Sequence, residues 1–456
     1  MKHAIAIVLS AALACCSGCW PEHEIVWSAD GQVGLLSGGD DLQLIDAQGK
    51  LLPGRIEGGR RAALAGDSRT LFAAVTRDVA TWDEARRLLT PRQQAEVALE
   101  ARMLAERVKT LPKDQWDAAD LDLESRPDFS LTVLLCLRDE HAAVLDKLLT
   151  DKERQELREF TVPYHSIVVA SIQDGKVSPA RKLSEAFGQV HSLRAHPKGL
   201  GVAVVAGQQL RVVLDTREVI EIANPAAKYP DWTPDGQSLC CVAGQDPRGA
   251  RERSQLGTLR LHRIFEPDGR RVKQAAGEAD QAPPVRELAG VLFHPTARVR
   301  CLSDGRILFT SAKTTLPCPP DAMQQGVFAI DPARGPGITD VLPAGSLKQL
   351  EGFLLDLMEL SPDQTRIALP TEKGRIALVA LASGEVRILQ GQDLKEPIVR
   401  PTWRTNDEIT FLAPPPAGQD RGPLTAHQPS DGKTRALSET WPSPITDRWL
   451  GKQEKK

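Results

Sequence analysis

Aromatic side chains are scarce in this 456-residue chain: 4% of it, with only two tyrosines. Carbohydrate-binding surfaces and single-stranded nucleic-acid grooves are built on exposed aromatic platforms, so this scarcity argues against both. Net charge is nearly absent as well, at -3, which leaves no electrostatic case for a nucleic-acid partner. Three of the eight cysteines, Cys15, Cys16 and Cys19, fall in the first nineteen residues, and no Cys-x-x-Cys faces a second Cys or His pair, so no zinc site is expected. None of the nine histidines stands at a metal-ligand spacing. His191 and His196, which straddle a strand start, read as solvated turn residues rather than ligands. Asp40-Asp41 could line a rim and hold Ca²⁺, but Asp is also the default turn residue. The chain lacks a Gly-x-Ser-x-Gly elbow, a Walker loop and a dinucleotide fingerprint. No catalytic residue, cofactor or metal is therefore assigned.

Long apolar runs are missing too. The one candidate, Ala4 to Ala14 behind Lys2, is too short to span a bilayer and has the anatomy of a secretory signal. Ser17-Gly18-Cys19 resembles the end of a bacterial lipobox, although Cys16 stands where Leu is usual, and the resemblance implies lipidation at Cys19. An ordinary cleaved signal peptide, with Ala14-Cys15 as an alternative cleavage point, is the other reading. Trp20 follows Cys19 in place of the Asp that retains lipoproteins at the inner membrane, so an exported protein facing the periplasm from the outer membrane is favoured. In that compartment Cys301 and Cys318 make the plausible disulfide, whereas Cys240 and Cys241 are strand neighbours expected to point to opposite faces.

What the chain does have is a recurring phrase: an aromatic or apolar residue, a turn carrying Pro, Asp or Gly, then a short apolar strand. Copies stand at Trp27 to Gly31 (with Asp30), Ala65 to Ser68, Ala195 to Gly199, Trp232 to Gly236 (with Pro234 and Asp235), Leu302 to Gly305, Leu360 to Gln364 (with Ser361, Pro362 and Asp363) and Trp403 to Asp407. Each is followed by a predicted hairpin, turning at Gly49, Gly175, Asp215, Gly269, the stretch from Asp331 to Gly337, Gly384 and Gly432. Asp and Pro start a turn, Gly accepts positive φ, and alternating apolar residues need a half-buried face. One turn-strand plus one hairpin makes a small sheet that cannot bury both faces alone; radial stacking does so. An all-β, seven-bladed β-propeller is expected, with six or eight blades as alternatives. The expected division is residues 1–18 signal, 19–26 tether, 27–80 first part of the propeller, 81–159 insertion, 160–440 remainder and 441–456 tail. Glu24 to Trp27 is expected to close the ring by completing the final sheet.

The insertion reads as helix. Thr81-x-x-Glu84, Thr90-x-x-Gln93 and Thr150-x-x-Glu153 have the form of capping boxes, and Pro91 sits at a first helical position. Val97, Ala101, Leu104, Val108 and Leu111 form an amphipathic stripe, and Leu131 to Leu137 could be strand or buried helix. Trp82, Trp116, Trp441 and Trp449 fall outside the repeat phase and are candidates for an interface.

Tyr229-Pro230-Asp231-Trp232-Thr233-Pro234-Asp235-Gly236-Gln237-Ser238-Leu239 is similar to the Trp-Ser-Pro-Asp-Gly-x-x-Leu repeat of TolB-like propellers, a WD-repeat-like architecture; Leu360 to Ala368 is a second match. The resemblance implies a periplasmic propeller that recognises partners, and it assigns the repeat residues, Trp27 and Trp403 included, structural roles. Nothing corresponds to the extra domain that precedes the propeller in TolB itself. The expected function is protein binding or scaffolding at the envelope through blade loops and the helical insertion, by a monomeric propeller with an envelope protein as partner and contact with the membrane only through its lipid. A propeller lyase or hydrolase using carboxylates at the central channel is the alternative, and an insertion that only stabilises the rim is the bland one.

Overall fold

The computed structural model describes residues 24–37, 41–110, 127–148, 151–244, 256–272, 283–313, 324–335, 337–342, 357–371, 375–389, 399–412 and 424–438. The signal segment with Cys19, together with Asp40, Trp116, Thr150, Cys318, Trp441 and Trp449, lies outside them. Strands account for seven antiparallel sheets, each made of consecutive strands. Blade 1 comprises β1 (Glu24–Trp27), β2 (Val33–Ser37), β3 (Asp41–Asp46) and β4 (Leu51–Glu57). Blade 2 comprises β5 (Gly59–Leu64), β6 (Thr70–Val79), β7 (Val162–Gln173) and β8 (Lys176–Val177), with β9 (Arg181–Phe187) added on β7. Blade 3 runs through β10 (Val190–Ala195), β11 (Gly201–Ala206), β12 (Gln209–Leu214) and β13 (Val219–Ala223). Blade 4 holds β14 (Asp231–Trp232), β15 (Ser238–Gly244), β16 (Leu256–Arg263) and β17 (Val285–Leu292). Blade 5 holds β18 (Val299–Cys301), β19 (Ile307–Lys313), β20 (Gln324–Ile330) and β21 (Ile338–Asp340). Blade 6 has β22 (Glu359–Leu360), β23 (Arg366–Pro370), β24 (Ile376–Ala380) and β25 (Val386–Ile388), and blade 7 has β26 (Val399–Thr405), β27 (Glu408–Leu412), β28 (Leu424–His427) and β29 (Thr434–Ser438).

First strands of neighbouring blades touch one another, as β1 does with β26 and β14 with β18, whereas last strands such as β21 are exposed. Second strands are buried on both faces, which explains their unbroken apolar runs. In β11, Val202, Val204 and Ala206 pack towards blade 2, and Ala203 and Val205 towards blade 4. In β15, Cys240 and Val242 enter the core shared with blade 5, and Leu239 and Cys241 that shared with blade 3. A strand's two-residue period thus feeds two cores at once. The seven cores so formed correspond one to one with the seven seams of the ring.

Ring closure differs from expectation. β1 pairs with β2 inside blade 1, Trp27 opposite Gly34, and does not complete the final sheet. The seam is instead made by side chains. The Trp27 indole N–H donates to Thr410 Oγ1 of blade 7 at 2.8 Å, and Arg404 Nη1 donates to Gly31 O at 3.1 Å. Blade 7 takes all four of its strands, β26 to β29, from its own stretch of chain.

The chain divides into two compact units, the blades and a helical unit of Thr76–Ser166 with Glu185–Gln189. The helical unit carries α1 (Trp82–Leu88), α2 (Pro91–Thr110), α3 (Pro127–Glu140), α4 (Ala142–Leu148) and α5 (Asp151–Arg158). Leu131 to Leu137 is buried helix. At the start of α2 the Gln93 N–H donates to Thr90 Oγ1 at 3.3 Å and the Thr90 N–H to Gln93 Oε1 at 3.0 Å, a reciprocal cap that satisfies two backbone donors. Val97, Ala101 and Ala105 turn inward with Trp82, Val133, Leu135 and Phe160. Trp82, read above as an interface candidate, is 3% exposed in this core. Arg138 binds the unit together, donating to Phe160 O at 3.0 Å, to Leu157 O at 3.4 Å and to Ala80 O.

Candidate functional site

Three of the repeat turns, those of blades 1, 4 and 6, share one construction. In blade 4 the Thr233 hydroxyl donates to Asp235 Oδ1 at 2.6 Å, the Gln237 N–H donates to the same oxygen at 2.9 Å, and the Ser238 N–H donates to Thr233 Oγ1 at 3.0 Å. Ser28 with Asp30 and Ser361 with Asp363 repeat these bonds at 2.6 Å, closing on the Val33 and Arg366 N–H groups. The Ser28 hydroxyl and the Gln32 N–H hold the Asp30 carboxyl below its usual range. A hydroxyl followed two residues later by Asp thus satisfies the donors of a tight turn, which is why the phrase recurs.

The three tryptophans of the repeat also clasp the blade before their own. Trp232 Nε1 donates to Arg194 O at 3.0 Å, Trp403 Nε1 to Glu359 O at 3.2 Å, and Trp27 reaches Thr410 across the closing seam. His196 is buried with its ring edge-on to Trp232 and Phe265, and its Nε2 lies 2.9 Å from Gly236 O. It belongs to the seam between blades 3 and 4. The described residues contain no group of three or more His, Cys, Asp and Glu able to hold a metal.

Inside these clasps the first strands carry a chain of charges. Arg194 of β10 meets Asp231 of β14 at 2.5 Å; the arginine side chain is 46% exposed and the carboxylate 5%. Asp231 is the main influence raising the Arg194 pKa. The other carboxylate oxygen of Asp231 accepts the Cys301 N–H of β18 at 2.9 Å. Beyond Cys301, Arg298 and Arg300 grip both oxygens of Glu359 in β22, at 2.9 and 3.3 Å. Arg298 is fully buried, 3.9 Å above the Tyr229 ring, and donates to Met358 O at 3.0 Å. Blade 7 continues the theme: Glu408, 3% exposed, receives Arg404 and Arg435. Burial acts to raise the Glu408 pKa, but bonds from both arginines outweigh it and hold the carboxyl low. Buried ions survive only when paired and hydrogen-bonded. Asp231 and Glu359 are engaged in such pairs, so their arrangement joins blades 3 to 6 electrostatically.

Sequence reasoning named Asp231 only as part of the repeat phrase and did not single out Arg194, Arg298, Arg300, Glu359 or Glu408. The signal was present in the period, because Arg194 stands 37 residues before Asp231, about one blade. Cys301 is a buried free thiol with Sγ 3.7 Å from Asp231 O, and its expected partner Cys318 is outside the described residues.

The helical unit offers a surface of another kind. Along one face of α2 run the Arg92–Glu96 ion pair, then Leu99 and Met103, then the Glu106–Lys109 pair. Leu99 is 47% exposed and Met103 62%, one turn apart and opposite the buried stripe. Among the described residues the other exposed large apolar side chains, Leu51, Val219, Leu256, Val285 and Ile338, are scattered singly over blades 1, 3, 4 and 5.

The sheets and their seams define the class: the chain is a seven-bladed β-propeller carrying a helical insertion in its second blade. No protein-family profile and no curated protein matches it. Among solved structures it is similar to a protein assigned as TolB from Agrobacterium tumefaciens, at 11% identity and TM-score 0.37 over 57% of this chain and 83% of that one. The β-propeller domain of Myceliophteria thermophila Cps50 (Swd1) aligns at 9% identity and TM-score 0.41, over 92% and 98% of the two chains. A puromycin-hydrolysing peptidase of Mycobacterium tuberculosis aligns at 13% identity and TM-score 0.40; the match covers 92% of this chain but only 45% of that one. No helix of the described residues is long and apolar enough to cross a membrane.

Proposed function

We propose that this propeller is a protein-binding module of the bacterial envelope and that the α2 face of its helical unit is a docking surface. The observation that carries this reading is the pairing of Leu99 and Met103 as an exposed apolar centre between two ion pairs. Protein interfaces share that anatomy, an apolar centre inside a polar rim, and Met adapts to a partner's contours. The propeller supplies the rigid platform, since its inner charges are paired within the ring. The envelope location follows from the signal-like N-terminus and the lipobox resemblance at Cys19; incorporation of labelled fatty acid that is lost in Cys19→Ser tests it.

The partner is an envelope protein presenting a complementary apolar ridge. Affinity purification from crosslinked cells, with Leu99→Glu/Met103→Glu beside the unaltered protein, tests the docking face. A stoichiometric partner lost in the double variant supports the reading, and one retained undiminished overturns it. Both positions are exposed, so the variant is expected to fold.

A further inference from the structure

We infer that Cys240 and Cys301 form a disulfide that staples blade 4 to blade 5 when the protein folds in an oxidising compartment. Cys240 of β15 is the direct cross-strand partner of Asp231. The Cys301 thiol lies 3.7 Å from the carbonyl oxygen of that same Asp231, and the Cys301 N–H is bound by its carboxylate. Both side chains are buried in the core shared by the two blades. Strand β15 also lies against β18, so the pairing through Asp231 and the shared core place the two thiols on facing sides of one seam, the arrangement that a disulfide between the blades requires. Cys241, on the opposite face of β15, packs into the core shared with blade 3 and is not a competitor.

The chemistry is thiol–disulfide exchange with a disulfide-bearing oxidant, a small disulfide or an oxidising protein. One cysteine thiolate attacks a sulfur of the oxidant, forming a mixed disulfide and releasing a first thiol. The second thiolate then attacks the protein sulfur, closes the Cys240–Cys301 bond and releases the second thiol. Two cysteine S–H bonds are lost and the oxidant's disulfide is reduced to two thiols. Burial raises the Cys240 pKa strongly and hides both sulfurs from a bulky oxidant, so the bridge forms while blades 4 and 5 are still assembling. A chain already folded in reduced form is expected to stay reduced. The bridge would join blades 4 and 5 beside Asp231, whose carboxylate also holds Arg194 of blade 3.

That the bond forms in the cell rests on the export proposed above; that it can form does not. The chain is unfolded with its thiols reduced, refolded in a glutathione redox buffer, alkylated and cut with trypsin. Cleavage leaves Cys240 and Cys241 in residues 229–248, Cys301 in residues 301–306 and Cys318 in residues 314–334. The expected product joins 229–248 to 301–306, with Cys318 alkylated, and it persists in Cys241→Ala, where Cys240 is the sole cysteine of its peptide. A link from 301–306 to 314–334, or alkylation of Cys240 and Cys301, overturns the proposal. The same mapping on protein taken from cells separates the two readings. A bridge formed on refolding but missing in cells counts against export, and a bridge missing from both counts against the geometry.

Discussion

His262 should make this propeller acid-sensitive over a defined range. The residue lies in β16 of blade 4, 2% exposed, and neither ring nitrogen has a hydrogen-bond partner. Burial, with a smaller push from Arg260, lowers its pKa from 6.5 to about 4. The unfolded chain therefore takes up a proton near pH 6.5 and the folded chain only near 4, so the unfolded state gains as the pH falls between those values. Stability is complete above 6.5 and lost on the way down through 6.5 towards 4. The lag of about 2.5 pH units is worth about 3 kcal/mol in full, and about 2 kcal/mol is already gone at pH 5. His262→Leu removes both unpartnered nitrogens and is expected to be at least as stable as the parent at pH 8. Urea unfolding of both proteins from pH 8 to 4.5 isolates the effect, because other titrating groups cancel in the difference. The difference should swing by about 2 kcal/mol towards the variant between pH 8 and pH 5. A difference that stays flat across this range refutes the reasoning.

Three further outcomes follow from the seams. Glu359→Leu strands Arg298 and Arg300 without their shared carboxylate and should cost about 3–5 kcal/mol, read as a lowered urea midpoint. Thr410→Val leaves the Trp27 indole N–H without its acceptor at the closing seam and should cost about 1–3 kcal/mol, whereas Thr410→Ser retains the bond and most of the stability. Gly236→Ala puts a side chain at φ +77°, with Cβ 2.4 Å from His196 Nε2, and thermal unfolding should show a loss of about 1–3 kcal/mol.

The propeller was legible in the sequence because its turns are local chemistry. Ser28 and Asp30, or Thr233 and Asp235, close a turn within five residues, so their spacing survives in the linear chain. The two-sided burial of β11 and β15 departs from the half-buried alternation expected of these strands, because each blade is packed against a neighbour on both faces. The helices announced themselves through Thr81, Thr90 and Pro91, although Leu131 to Leu137 could not be assigned until α3 showed it packed in a helical core. What stayed hidden is chemistry between blades. Arg298 and Glu359 are 61 residues apart, and only the radial arrangement makes them neighbours. Ring closure failed as an expectation for the same reason: Glu24 to Trp27 reads as a free strand, and nothing local says that its edge is taken by β2 while its indole reaches Thr410. The candidate docking face was half legible, because a buried stripe implies an opposite face, but only the structure shows Leu99 and Met103 uncovered on it.

A photo-crosslinking residue in place of Met103, compared with one at Val219 on the outer strand of blade 3, tests the central claim most directly. Both side chains are exposed apolar ones, at 62% and 44%, so they differ in surroundings rather than in access. On irradiation of intact cells, a single envelope protein captured at 103 and missing at 219 is the expected result. No adduct at 103, or the same adducts from both positions, would contradict the assignment of this propeller as a binding module that acts through its helical insertion.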